Sequence, residues 1–324
     1  MARPRRGEGA LKRWLLLAGQ LGLTVLVTWL IVDRVGLGLD ELGDVDASLW
    51  IPGPVLFSLA TALLLAAYLM SASLWGRIVV DLGGPRLPAR EAVRIFMIAN
   101  LGRYLPGKLW QIAGLAALAK TRGVPAATAA GAAVLGQGVA LVAATAVGLG
   151  ALLGGPEAYR PWGMVGAAVV GVLAGLLAVP RVSAGLVRAW FRLARSEPPS
   201  ELPGAHTIRW LGLYALNWML YAASFWVLVE SLGFGEGSSP LPVASAFAAA
   251  YVVGYAMIFA PAGLGPREGF LIVFLTPHLG AAPSGVVAIV ARVWTTLVEV
   301  VPAAAFWIAH VVRRARGDGT TEAA

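Results

Sequence analysis

Ala260-Pro261-Ala262-Gly263-Leu264-Gly265-Pro266-Arg267-Glu268-Gly269 lies between two apolar runs, residues 243–259 and 270–275. A helix does not pass undisturbed through this density of proline and glycine. The stretch also carries an Arg and a Glu in surroundings that otherwise read as hydrocarbon-facing. An earlier stretch, Asn100-Leu101-Gly102-Arg103-Tyr104-Leu105-Pro106-Gly107-Lys108, has the same design. Two broken, charged segments at corresponding places in the two halves of a hydrophobic chain point to a transporter binding site.

The rest of the chain fits that setting. Of 324 residues, 58% are hydrophobic and 13% charged, with a mean hydropathy of +0.76. Soluble domains carry about a quarter charged residues. Several apolar runs reach the roughly 20 residues a helix needs to cross a bilayer. The pattern predicts an all-α polytopic membrane protein, not an outer-membrane β-barrel with its short alternating segments. The net charge of +8 belongs to cytoplasmic loops rich in Arg and Lys, so no nucleic-acid partner is expected. With no cysteine, disulfides, thiolate metal sites and Cys nucleophiles are excluded.

Residues 1–13 form a basic N-terminal segment, 14–312 the transmembrane domain and 313–324 a basic tail whose end reads as disordered. Both termini are expected in the cytoplasm. Six full crossings are predicted, over about 14–32, 50–75, 126–153, 162–179, 210–232 and 284–312. The first is read as a retained helix and not a cleaved signal, because its apolar run is long and no small-residue cleavage site follows. Between them, 93–120 and 242–279 each begin and end on one side, which makes them re-entrant hairpins of opposite orientation, an inverted repeat. Charge supports the path. Of 25 Lys and Arg, only Arg34 and Arg160 fall in outer loops. Arg103, Lys108, Arg267 and Arg292 fall inside the membrane region, and all others lie on the cytoplasmic side.

Small residues are expected to let helices approach: Gly131, Gly136, Gly138, Gly148 and Gly150 in one helix, Gly171 and Gly175 in the next. The basic stretch 180–209 reads equally as a plain loop or as an interfacial helix on anionic lipid.

An intramembrane charge costs about 2.5–3.5 kcal/mol at a helix centre on insertion scales. Six are present: Arg103, Lys108, Arg267, Glu268, Arg292 and Glu299. Glu299 follows Arg292 by seven positions, so both face one side of the last helix. Glu268 can neutralise Arg292 or Arg267. The positive surplus points to an anionic ligand. A new helix should start after each break, near Lys108 and near Pro266, and its free N–H groups favour an anion. Arg103, Lys108 and Arg267 are the expected phosphate grip, with Tyr104, Trp110 and Gln111 completing the lining. The bland readings stand beside this one. Arg103 and Lys108 can snorkel to the surface, while Arg267–Glu268 and Arg292–Glu299 can be fold-holding pairs. Asn100, Gln137 and Asn217 read as interhelical hydrogen-bond residues. His206, His278 and His310 are scattered, with no metal-ligand spacing. Phosphate-loop, nucleophile-elbow and zincin motifs are all missing, and no cofactor is implied.

At the two breaks the chain resembles the transmembrane, flippase-like domain of lysylphosphatidylglycerol synthases and the stand-alone members of that family. Asn100, Gly102, Arg103, Pro106, Gly107 and Lys108 carry the likeness in the first half. Pro261, Gly263, Gly265, Arg267, Glu268 and Arg292 carry it in the second. The resemblance implies passage of a lipid, often one with a modified headgroup, between leaflets. With the buried positive charge, the leading expectation is a translocase of an anionic phospholipid or polyprenyl-phosphate-linked lipid in a bacterial-type plasma membrane. Substrate binding is expected of these residues, with Tyr104 added from the lining and Glu299 from the intramembrane charges. Synthases also carry an aminoacyl-transferase domain; the chain ends at Ala324 without one and is expected not to make aminoacylated lipid. The first motif reads Pro106-Gly107-Lys108, not a longer glycine-rich version, which leaves headgroup preference open. Two other functions stay open. One is an accessory subunit of a lipid-modifying enzyme or glycosyltransferase, docking through 180–209. The other is a membrane enzyme using Glu268 and Glu299. Homo-oligomerisation also stays open.

Overall fold

A computed structural model describes residues 22, 50–105, 109–199, 206–257 and 260–315. The basic N-terminal segment, the first predicted helix apart from Gly22, and the three residues Pro106, Gly107 and Lys108 lie outside the described residues. What is described is helical, with no strand among the described residues. The elements are α1 (Pro54–Asp81), α2 (Ala89–Asn100), α3 (Trp110–Lys120), α4 (Ala126–Leu153), α5 (Arg160–Ala178), α6 (Pro180–Leu193), α7 (His206–Ser231), α8 (Pro240–Ala256), α9 (Pro266–Leu279) and α10 (Ala281–Ala315). Proline opens α1, α5, α6, α8 and α9 within their first two positions. Its fixed φ suits a first turn, where its missing N–H leaves no bond unmade.

Five segments are long and apolar enough to cross a membrane: Pro54–Asp81, Ala126–Leu153, Glu157–Ala178, His206–Ser231 and Ala281–Ala309. They correspond to the second through sixth predicted crossings. The helix predicted to stop at Trp75 continues to Asp81, because its last turns are anchored. Ile78 and Val79 are buried, and Asp81 accepts hydrogen bonds from Arg209 (2.9 Å) and Trp210 (2.7 Å).

α1 and α7 are antiparallel neighbours. Asp81 meets the start of α7, and at the other end Gly53 donates its N–H to Ser231 at 2.6 Å. α4 packs on α7 and α8, and these four helices make the centre. Gly148 and Gly150 allow the α4–α8 approach as expected. A Cβ at Gly148 would lie 2.8 Å from the backbone nitrogen of Ala249, and one at Gly150 would lie 2.3 Å from Ser245 Oγ. Gly171 and Gly175 do not act in this way. Nothing lies within 4 Å of a Cβ at either, since α5 is peripheral and buries only Gly163. Trp162 at 71% and Met164 at 68% exposure face outward, as lipid-facing residues do.

Residues 180–193 resolve as helix α6, not a plain loop. Ser183, Val187 and Phe191, spaced by four, are buried on one face, and Trp190 donates to the carbonyl of Ala127 at 2.9 Å. Arg181, Arg188 and Arg192 are exposed on the other side.

Two helix pairs depart from the crossing pattern. At 1.5 Å per residue, the arms α2, α3, α8 and α9 run about 16–26 Å, short of the roughly 30 Å hydrocarbon core. In each pair the arms pack on each other. Their open ends are tied. Arg122, just past α3, lies 3.2 Å from Glu91 in the first turn of α2. Ser238, just before α8, donates to the carbonyl of His278 near the end of α9 at 3.4 Å. The first pair leaves the chain from the Asp81 end of α1 and the second from the Ser231 end of α7. Because those two ends are opposite, the two pairs open in opposite directions.

Candidate functional site

Both broken tips reach the same place. After α2 the chain makes a 3-10 turn over Leu101–Tyr104 and a second over Pro261–Gly263, and the two turns touch. Conformation explains the second break. Ala262, Gly263 and Gly265 all have positive φ (51°, 70° and 85°), which a helix cannot accommodate. α10 passes beside both tips and brings Arg292 and Glu299.

Glu299 is 3% exposed and holds three donors. Arg103 Nη1 donates to Oε1 at 3.0 Å, the Tyr104 hydroxyl to Oε2 at 2.6 Å, and the Tyr68 hydroxyl to Oε1. This carboxylate therefore pairs with Arg103 from the first break, and not with Arg292 on its own helix. The sequence gives no sign of Tyr68, since a tyrosine inside an apolar helix carries no mark.

Glu268 does neutralise Arg292, with Oε1 3.4 Å from Nη1. Its Oε2 accepts the N–H of Gly265 at 2.7 Å and so closes the start of α9. The helix end expected to attract a ligand anion is thus already capped by this side chain. Arg292 also lies 3.5 Å from the carbonyl of Ala262 and 5.7 Å from the Tyr104 ring.

Arg267 has no carboxylate partner among the described residues. Its guanidinium stands over Phe247 at 4.7 Å and Tyr251 at 6.0 Å. Delocalised charge tolerates such stacking and keeps its N–H edge available. The stack depends on Gly254, where an added Cβ would lie 2.7 Å from Arg267 Cβ.

Arg103, Arg267, Arg292 and Glu299 line one cavity of about 150 Å³, with Tyr104, Gln111 and Gly263 from the breaks. Its remaining wall joins aromatic rings (Trp75, Tyr214, Trp218, Tyr221, Tyr251), the amides of Gln137 and Asn217, the Ser71 hydroxyl and small or aliphatic side chains such as Ile112, Leu115 and Ala140. Asn100 stands behind this wall at 1% exposure, its Oδ1 accepting from Gln111 at 3.0 Å. Pro261, Gly265 and Glu268 shape the second tip without lining the cavity. Trp110, expected in the lining, does not line the cavity and is 50% exposed at the first position of α3. Pro106, Gly107 and Lys108, expected to bind substrate, lie outside the described residues. Without Lys108, the three arginines exceed the two carboxylates by the charge of Arg267. No group of three or more metal-ligating side chains occurs among the described residues.

A bundle of helices long and apolar enough to cross a membrane, with a charged cavity between two broken helix pairs, defines a polytopic membrane protein. Within that class, the chain belongs to the family of the lysylphosphatidylglycerol synthase TM region, whose family profile matches residues 14–303. Comparison with curated proteins and with solved structures found no match.

Proposed function

We propose that the protein is a lipid translocase that moves an anionic phospholipid or a polyprenyl-phosphate-linked lipid between the leaflets of a bacterial-type plasma membrane. Both termini lie in the cytoplasm, and the helix pairs α2–α3 and α8–α9 dip into the membrane from opposite faces. One observation carries the reading. Three arginines from the two tips and from α10 face a single cavity, and one of them, Arg267, has aromatic faces in place of a carboxylate.

A lipid phosphate entering this cavity meets Arg267 first, because no ion pair has to break. Arg292 adds a second contact at modest cost, since its 3.4 Å pairing with Glu268 is long. Arg103 becomes available only when Glu299 shares it, and the Tyr68 and Tyr104 hydroxyls then hold that carboxylate. Phosphate binding therefore loosens the bond joining the first tip to α10. Rocking of the two oppositely facing pairs around the bound phosphate would carry the headgroup across.

The test is leaflet exchange of labelled lipids in liposomes containing the purified protein. Anionic lipids should exchange faster than phosphatidylcholine, and Arg103→Ala/Arg267→Ala should abolish the difference. Equal exchange of both classes, or full activity in the variant, would overturn the proposal.

The exposed arginines of α6 favour a second reading, a non-catalytic accessory subunit of a lipid-modifying enzyme or glycosyltransferase. Co-purification of such an enzyme, lost on replacing Arg188, Arg192 and Arg195, would establish it.

A further inference from the structure

Three arginines can hold a phosphate, yet they form a small part of the cavity wall. Tyr251 marks where the charge ends. Arg267 covers one side of its ring, Trp218 packs against it with centroids 4.7 Å apart, and Gln137 Nε2 lies 3.4 Å from its hydroxyl. The wall beyond is uncharged, with aromatic rings and the amides of Gln137 and Asn217.

Asn217 shows what this part of the cavity lacks. It is 1% exposed, and its Nδ2 donates to Ser71 Oγ at 2.8 Å. Its Oδ1 has no hydrogen-bond partner among the described residues. Buried acceptors are almost always satisfied. Ionised phosphate oxygens and acyl chains cannot satisfy this one, since they bring no donor. A hydroxyl can. Aromatic faces also suit the apolar face of a small ring whose hydroxyls point outward to amides. A cavity of about 150 Å³ is large enough for a six-membered ring. A cationic headgroup fits less well. The ring faces nearest the charge are taken by Arg267 and Arg292, and the one lining carboxylate already holds three donors.

Resting on the lipid-headgroup reading above, we infer that the cavity takes a phosphate ester of a hydroxyl-bearing ring, a sugar-phosphate or inositol-phosphate headgroup. Its phosphate lies against Arg103, Arg267 and Arg292. Its ring hydroxyls meet Asn217 and Gln137. Sites built to hydrogen-bond a hydroxyl discriminate strongly against analogues that lack it.

The experiment compares leaflet exchange of labelled phosphatidylinositol, phosphatidic acid, phosphatidylcholine and lysylphosphatidylglycerol with matched acyl chains. Phosphatidylinositol should exchange on the order of tenfold faster than phosphatidic acid. Gln137→Leu and, separately, Asn217→Leu should bring that ratio close to one. Equal exchange of the two anionic lipids in the wild type, or fastest exchange of a cationic or zwitterionic lipid, would overturn the inference. If no lipid exchanges, the translocase reading fails, and binding of free inositol 1-phosphate decides this one. Tighter binding than inorganic phosphate, read by tryptophan fluorescence and lost in Asn217→Leu, would uphold the ring-and-phosphate chemistry for a soluble ligand. Binding no tighter than inorganic phosphate would overturn it.

Discussion

Arg103 Nη1 lies 3.0 Å from Glu299 Oε1, although 196 positions separate them in the chain. The pair joins the first broken tip to the last helix inside the bundle. Breaking a buried pair by removing one partner costs more than removing both, because the remaining charge is left uncompensated. Arg103→Met or Glu299→Gln alone should destabilise the protein by about 3 kcal/mol. The double variant should cost clearly less than the sum. Thermal unfolding in detergent of the four proteins of this cycle measures the coupling, and simple additivity would show that the pair holds nothing together.

Arg267 should behave in the opposite way. It has no ion pair to lose among the described residues, and its cation–π stack on Phe247 is worth about 1–2 kcal/mol. Arg267→Ala should therefore fold nearly as well as the wild type while anionic lipid exchange falls by tenfold or more, about 1.4 kcal/mol of lost binding. Arg267→Lys should fail almost as badly, since an ammonium group neither stacks like a planar guanidinium nor presents its fork. Wild-type exchange in Arg267→Lys would show that only point charge matters.

Gly254 sets the distance between α8 and α9. An alanine there would place its Cβ 2.7 Å from Arg267 Cβ, an atom held close to the backbone that cannot swing away. The helices must separate, and overpacking of this kind costs about 1–3 kcal/mol. Gly254→Ala should lower both the unfolding temperature and the exchange rate. Gly138→Ala, which meets nothing within 4 Å, should change neither.

Much of this fold was legible from period and charge. The five described crossings lie where long apolar runs predicted them, the second break falls at its Pro-Gly stretch, and the first helix pair is interrupted between Asn100 and Trp110. Pairwise contacts were not legible. Glu299 shares a helical face with Arg292, yet a residue from the other half of the chain reaches it first. Helical spacing reports which side a residue faces, not which neighbour arrives there. Tyr68, Gly254 and the aromatic wall from α7 and α8 belong to ordinary apolar helices, and only packing brings Tyr68 to Glu299 and turns the others toward the cavity. Residues 180–193 were ambiguous for a different reason. Their arginines suit a loop as well as a helix, and the buried spacing of Ser183, Val187 and Phe191 decides it.

Glu91 ties the open end of the first helix pair, accepting from Arg94 Nη2 at 2.8 Å and lying 3.2 Å from Arg122 Nε. Burial by itself raises its pKa, but the hydrogen bond and charge of Arg94, with Arg122 and Arg90, outweigh it and hold the carboxyl below its ordinary value. A carboxyl depressed in the folded state contributes stability above its unfolded pKa, and loses it as pH falls through the folded one. The wild type should lose stability more steeply than Glu91→Gln as pH drops below about 4.3, the unperturbed glutamate value. Parallel acid profiles would show that these ion pairs do not hold the pair of arms closed.

Opposite orientation of the two helix pairs is the strongest demand the proposed mechanism makes on the membrane topology. Thr121, beside the Arg122–Glu91 tie, marks the open end of the first pair, and Ser239, beside the Ser238–His278 contact, marks that of the second. Both residues are exposed, and the chain has no cysteine to remove first. A membrane-impermeant thiol reagent applied to intact cells should label Ser239→Cys. It should label Thr121→Cys only after the membrane is opened. A full crossing by either broken segment would move one open end across the bilayer relative to its partner arm. A cysteine placed at Ala89, at the start of α2, must therefore share the behaviour of Thr121→Cys, and one at Gly280, just past α9, that of Ser239→Cys. If Ala89→Cys and Thr121→Cys were labelled from different sides, the first segment would span the membrane, and two arms of about 16–18 Å would together have to bridge a core of roughly 30 Å with an unpaired backbone at its centre. The tie between Glu91 and Arg122 opposes that arrangement, so the labelling pattern tests the fold and the proposed translocation path at the same point.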